Sequence, residues 1–240
     1  MAERCRHVVA YEIDPLVFRD LKRRLGDWTN VTLVQADFLR CSLPNEPYSV
    51  CASLPFNITA DVVAKLTTGV DPPNDAYLVI QREAVRRFMV SGQRRFTLIS
   101  CLLYPRWKVH LLGHIPATAF RPQPAVSAAL IHFRLRPQSL VTARDQALFR
   151  DLVTQGFVGG SSVGDALRPV FTSRQLRRIA KDLKLKLDGV PSAVRPAQWV
   201  ALMRFVAEHP QEVKLASIAG AFARLENRHR RLRKSHRTRR

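Results

Sequence analysis

Apolar positions along this chain recur in two periods, and the periods alternate. β-rich runs at 7–12 (His7-Val8-Val9-Ala10-Tyr11-Glu12), 31–35, 48–54 and 76–81 are separated by stretches whose apolar residues return at helical spacing. Asp14 followed by Pro15 supplies an N-cap and a first-turn proline. The spacing of Leu16, Val17, Leu21 and Leu25 then predicts a helix that stops at Gly26. A second helix opens at Thr59 or Asp61 and runs through Val62, Val63 and Leu66, and helical segments follow over 82–89 and 96–103. Strands alternating with helices at this interval predict an α/β fold around a parallel sheet. The runs 107–112 and 128–135 have no helix between them and predict an antiparallel pair at the sheet edge.

The character changes after Arg134-Leu135-Arg136-Pro137. Helical spacing dominates 148–158, 174–185 and 196–206, which predicts a small all-helical domain of about 70 residues. The expected organisation is an α/β domain over 1–138 and a helical domain over 139–209. The last segment, 210–240, is expected to be a loosely held helix and then a basic, disordered tail.

A chain of 240 residues supports one sizeable core and a small second domain. No apolar run approaches the ~18 residues a membrane span needs, so no membrane partner is expected. The start, Met1 to His7, has no apolar stretch of the signal-peptide kind. Cys5, Cys41, Cys51 and Cys101 have no metal-site or Cys-x-x-Cys spacing. They read as reduced thiols of a cytoplasmic protein that holds no metal. Net charge is +20. Arg224 to Arg240 hold nine Lys/Arg against one Glu, so eight of those charges lie there and +12 remains in the body. A body this basic predicts a polyanionic partner, because Lys/Arg contacts to phosphates release counterions.

Three places carry candidate chemistry. Glu12 ends the first run, where a carboxylate on a doubly wound sheet can accept from both hydroxyls of a ribose. Capping of the following helix is the alternative for Glu12 and for Asp14. Asp37 ends the next run and can accept from an adenine amine while Ile13 or Phe38 covers the ring. A plain turn before Phe38-Leu39-Arg40 is its alternative. Ser53-Leu54-Pro55-Phe56 follows the third run and combines a hydroxyl, a rigid turn and an aromatic face. An adenine amino nitrogen is a poor nucleophile, because its lone pair is delocalised into the ring. One side-chain oxygen and one backbone carbonyl accepting from its N–H groups draw it toward a more nucleophilic geometry. A ring at Phe56 can stack on the base for ~1–3 kcal/mol.

Together these segments resemble the rRNA adenine N6-methyltransferases, in particular the erythromycin-resistance (Erm) branch. Val8-Val9-Ala10-Tyr11-Glu12-Ile13-Asp14 is similar to the ribose-binding motif, Gln35-Ala36-Asp37-Phe38 to the adenine-contact motif, and Ser53 to Phe56 to the catalytic loop. Gln81 to Val85, Phe120 to Ala129 and Ser173 to Leu176 resemble later family segments. The resemblance implies a Rossmann-like class I methyltransferase sheet with a small RNA-facing helical domain. It implies S-adenosyl-L-methionine as cofactor, held by Glu12, Ile13, Asp37, Phe38 and Ser53, with catalysis by Ser53, Leu54, Pro55 and Phe56. The implied reaction is N6-methylation of an adenine in 23S rRNA by a monomer, giving resistance to macrolides, lincosamides and streptogramins. A small-subunit rRNA adenine dimethyltransferase and a truncated, non-catalytic RNA-binding homologue are the alternatives.

Three positions depart from the family pattern. Ser53 stands where the family has Asn or Asp. Gly159 to Asp165 is poor in charge where the family is rich in Arg and Lys, and reads as a loop and helix start. The family's glycine-rich turn should precede Glu12 by about 20 residues, yet only eleven residues stand there and the first glycine is Gly26. The first, central strand is therefore expected to be missing. Its loss leaves unpaired edges or a rearranged sheet, at ~1–3 kcal/mol for each buried polar group left alone.

Overall fold

The computed structural model describes residues 1–90 and 95–228. They form two compact units, one made of Met1–Ser49 and Pro55–Pro73, the other beginning with Val50–Leu54 and resuming at Asn74. The strands divide into two sheets, one of two strands and one of four. The single continuous sheet that alternation predicts is thus not formed. Among the described residues no strand joins the two sets.

In the first unit β1 (Val8–Glu12) and β2 (Val31–Gln35) pair in parallel, with Glu12 opposite Gln35. The crossover is α1 (Pro15–Leu25), whose N-cap is Asp14: its Oδ1 accepts from the N–H groups of Leu16 (2.7 Å) and Val17 (3.2 Å). Although α1 has the predicted apolar spacing, none of its residues is buried. Leu16 remains 67% exposed and Ile13 64% exposed, so the small first unit does not enclose the apolar stripe of α1. α2 (Thr59–Thr68) is better enclosed, with Val62, Val63 and Leu66 buried at i, i+1 and i+4.

The second unit holds the larger sheet, in the order β3 (Ser49–Ser53), β4 (Asp75–Gln81), β6 (Ala128–Leu135), β5 (Trp107–Ile115). β6 runs antiparallel to both neighbours, as its helix-free connection to β5 requires. Alternate residues of β4 (Ala76, Leu78, Ile80) lie opposite Phe133, Ile131 and Ala129 of β6, and all six are buried. Phe88, after a short 3-10 turn over Arg82–Arg87, meets Phe133 edge-on at 5.6 Å.

The helical part contains α3 (Leu98–Leu103), α4 (Gln146–Val158), α5 (Val163–Leu167), α6 (Ser173–Leu183) and α7 (Pro196–Glu208). Its core gathers Phe149, Leu152, Leu167, Ile179, Trp199 and Val206. The change of character after residue 137 is therefore a change of architecture within the second unit. The segment from 210 onward is not a free tail as far as Arg228. Val213, Ile218 and Ala221 are buried, and Asp151 accepts from the N–H groups of Gly220 (2.8 Å) and Phe222 (2.9 Å). Residues 221–228 are helical. The rest of the expected basic tail, 229–240, lies outside the described residues.

Candidate active site

The C-terminal ends of β1 and β2 bring two carboxylates to neighbouring positions. The N–H of Ala36 donates to the carbonyl of Glu12 at 3.1 Å, so Asp37 stands two residues beyond Gln35, the residue opposite Glu12. The choice between ribose ligand and helix cap is decided in favour of Asp14 as the cap. Glu12 is half-buried, its Oε1 accepts from the N–H of Asp14 at 2.8 Å, and no cation pairs with it among the described residues. One backbone bond thus orients the carboxylate and uses only part of its acceptor capacity.

Asp37 is more heavily used. Its Oδ1 accepts from the N–H of Leu39 at 2.9 Å and caps the 3-10 turn Phe38–Arg40, and its Oδ2 stands 3.6 Å from Nε of Arg40. The plain turn role is realised here, and it holds the carboxyl beside the half-buried ring of Phe38. That ring meets Tyr11 edge-on at 5.5 Å. Ile13, the other candidate ring cover, is an exposed residue beside Glu12.

Lys65 completes this group and escaped sequence reading. Its Nζ donates to the carbonyl of Leu39 at 3.1 Å and to that of Cys41, and sits over the Phe38 ring 5.3 Å from its centre. The ammonium of α2 therefore pins the loop that follows Asp37. A lysine beside Val62, Val63 and Leu66 was the available signal, since a cation among the buried positions of a helix needs acceptors.

The turn after β3 is ordered by its own backbone. Leu54 is buried, and its N–H donates to the carbonyl of Val79 at 2.9 Å. The Pro55 carbonyl accepts from the N–H of Ile58 (3.2 Å) and from Oγ1 of Thr59 (3.3 Å), which fixes the entry to α2. Ser53 and Pro55 are exposed, and Phe56 is 40% exposed. The charge-poor stretch 159–165 is a loop and helix start, as expected. Ser162 Oγ accepts from the N–H of Asp165, and both Ser161 and Ser162 donate to its Oδ2. Those hydroxyls, more than Arg168, lower the Asp165 pKa. Among the described residues no group of acidic, His or Cys side chains could hold a metal ion, and no helix is long and apolar enough to cross a membrane.

The fold is of the α/β methyltransferase type. The structure superimposes on a 23S rRNA methyltransferase, ErmE, with a TM-score of 0.77 and 25% identity, covering 85% of this chain and 83% of that one. The family model for ribosomal RNA adenine dimethylases matches residues 1–208, and the chain belongs to that family. An rRNA methyltransferase of Streptomyces thermotolerans is 33% identical over 84% of this chain and 67% of its own length. A ribosomal RNA small subunit methyltransferase A of Synechococcus sp. (strain JA-3-3Ab) is 29% identical over 89% and 78%. The chain spans 61% and 53% of two further relatives, both rRNA adenine N-6-methyltransferases.

Proposed function

We propose that this chain acts in the cytoplasm, methylates N6 of an adenine in 23S rRNA using S-adenosylmethionine, and so confers resistance to macrolides, lincosamides and streptogramins. The observation that carries the reading is the division of labour at the end of β1. Asp14 caps α1, and Glu12 is left oriented by one backbone bond, with acceptor capacity for a ribose diol. The nucleoside half of the cofactor fits these residues: Glu12 for the hydroxyls, Asp37 for the adenine amine, Phe38 and Ile13 against the ring. The cofactor supplies an electrophilic methyl group. Phe56 stacks on the target adenine, and the Ser53 hydroxyl with the Leu54 carbonyl accepts from its two N6 hydrogens. That polarisation makes the nitrogen nucleophilic, and the proton it sheds passes to solvent.

The similarity to ErmE favours 23S rRNA, while the Synechococcus relative supports small-subunit rRNA as the second reading. Incubation with methyl-labelled S-adenosylmethionine and separate 23S and 16S transcripts distinguishes them. Label in N6-methylated adenosine from 23S RNA is the expected result. Label only in 16S RNA selects the second reading, and label in neither overturns both.

A further inference from the structure

Acidic residues are missing from one long stretch of this chain. From Ala84 to Arg144 there is no Asp or Glu, against ten Lys/Arg. β5 lies within that stretch and at the edge of the four-stranded sheet, with β6 on its inner side. Among the described residues no strand pairs with its outer edge, and no backbone group of β5 bonds to backbone outside β6. Leu111 is 37% exposed and Leu112 52%, and Lys108, His110 and His114 are exposed beside them. Lys108 has no carboxylate partner among the described residues.

Gly113, within the same strand, has no packing reason to be a glycine. No atom beyond its chain neighbours lies within 4 Å of where a Cβ would stand. The register slips between Leu111 and Gly113, which leaves Leu112 as a bulged residue with no partner on β6. The kind of bulge that requires glycine needs a positive φ, and among the described glycines only Gly220 has one. Neither packing nor the bulge therefore calls for this glycine. The remaining role of a glycine inside a strand is to let another backbone come close.

We infer that the outer edge of β5 takes up an extended, acidic peptide segment of a partner protein as an added strand. Main-chain hydrogen bonds to an open edge supply affinity, and alternate side chains supply selectivity. The chemistry selects this occupant over two others. A second copy of this chain would set Lys108 and its neighbours against their own kind, and like charges opposed across a ladder are destabilising. Phosphates of a nucleic acid answer the charge but cannot continue a ladder of N–H and C=O groups. An acidic peptide does both, with carboxylates near Lys108 and His114 and apolar side chains against Leu111 and Leu112. β5 is nine residues long, about 30 Å at ~3.3 Å per residue, which suits a partner segment of about eight residues. The inference stands apart from the proposed reaction, and its test needs no methyl transfer.

The probe is a labelled, capped peptide of about eight residues alternating Glu and Val, titrated into the full chain at ~0.1 M salt and followed by fluorescence anisotropy. Saturable binding is expected, with a Lys/Val peptide of the same length binding roughly tenfold or more weakly. Lys108→Glu/His114→Glu should lose roughly tenfold for the acidic peptide and gain for the basic one, a reversal that misfolding would not produce. An acidic peptide methylated at every central backbone nitrogen keeps its charges but has no donors, and should not bind. The bound acidic peptide should slow hydrogen exchange in β5 and leave β1 unchanged. No binding by the parent, equal binding of the methylated peptide, or an unchanged preference in Lys108→Glu/His114→Glu overturns the inference. Protection of β5 by an RNA hairpin and not by the peptide assigns the edge to RNA, and protection that rises with protein concentration alone assigns it to a second copy. Either result overturns the inference too. Label in neither transcript of the methylation assay removes the proposed function and leaves this edge to be judged by peptide binding.

Discussion

The ammonium of Lys65 stands 5.3 Å from the centre of the Phe38 ring, and the same nitrogen donates to the carbonyl of Leu39, next to that ring. One side chain on α2 thereby holds both the ring and the backbone of the loop that begins at Asp37. Lys65→Met keeps the apolar stem but removes every donor, leaving two half-buried carbonyls unsatisfied at ~1–3 kcal/mol each. The expected outcome is roughly tenfold weaker S-adenosylmethionine binding by calorimetry, with a lowered melting temperature. Lys65→Arg should recover part of the affinity. Unaltered affinity in Lys65→Met would show that the loop holds itself.

Gly156 on α4 exists to admit Trp199. A Cβ at that position would lie 2.1 Å from Cη2 of the indole, which is itself buried. Gly156→Ala should destabilise the helical part by ~1–3 kcal/mol through overpacking, read as a lower urea midpoint. A midpoint equal to that of the parent would mean that the indole can shift freely.

Acid should loosen the start of α5. The Ser162 and Ser161 hydroxyls hold the Asp165 carboxyl below its ordinary range, so the folded state binds this proton less readily than the unfolded chain. Its contribution to stability is present above the unfolded pKa and is lost as pH falls through the lower, folded one. Asp165→Asn should therefore unfold more easily than the parent at neutral pH and show a smaller loss of stability on acidification. Parallel stability–pH curves for the two proteins would count against the assignment.

Cys101 should resist alkylation in the native chain. Burial pushes its thiol up to about 12, with only a small opposing effect from Ser100, so almost no thiolate exists at neutral pH. Cys5 and Cys51 are exposed and should label first, as peptide mass spectrometry would show. Equal labelling of Cys101 would mean that the core around α3 opens readily.

The amides of β1 and β2 should exchange faster than those of β4 and β6. Two strands under a helix with no buried residue have little to protect them, whereas β6 is paired on both sides. Hydrogen exchange read by mass spectrometry checks this, and equal protection of the two sheets would refute it.

Much of this was legible because the signals are local. Asp14-Pro15 announced the cap of α1, and β-rich runs announced β4 and β6. The resemblance pointed to Glu12, Asp37 and the Ser53–Phe56 turn as candidates. What escaped depends on distant partners. Lys65 acts on carbonyls 24 and 26 residues away, and no periodicity encodes them. The packing of 213–221 was hidden by the charge that follows it, and Asp151 anchors Gly220 from 69 residues away. α1 misled in the opposite sense: its apolar spacing was real, but the small first unit does not enclose it. Asp37 could not be resolved by pattern, because a turn-capping carboxylate and an adenine acceptor occupy the same position.

The most direct measurement is a calorimetric titration of S-adenosylmethionine into the parent, Glu12→Gln and Asp37→Asn. Glu12 is proposed to accept from a ribose diol, and charge-assisted bonds of that kind contribute ~1.5–3 kcal/mol. Saturable binding by the parent is predicted, with a loss of roughly tenfold or more in Glu12→Gln and an unchanged melting temperature for the unliganded protein. Equal affinity in the parent and Glu12→Gln, or no binding by the parent, would contradict the account.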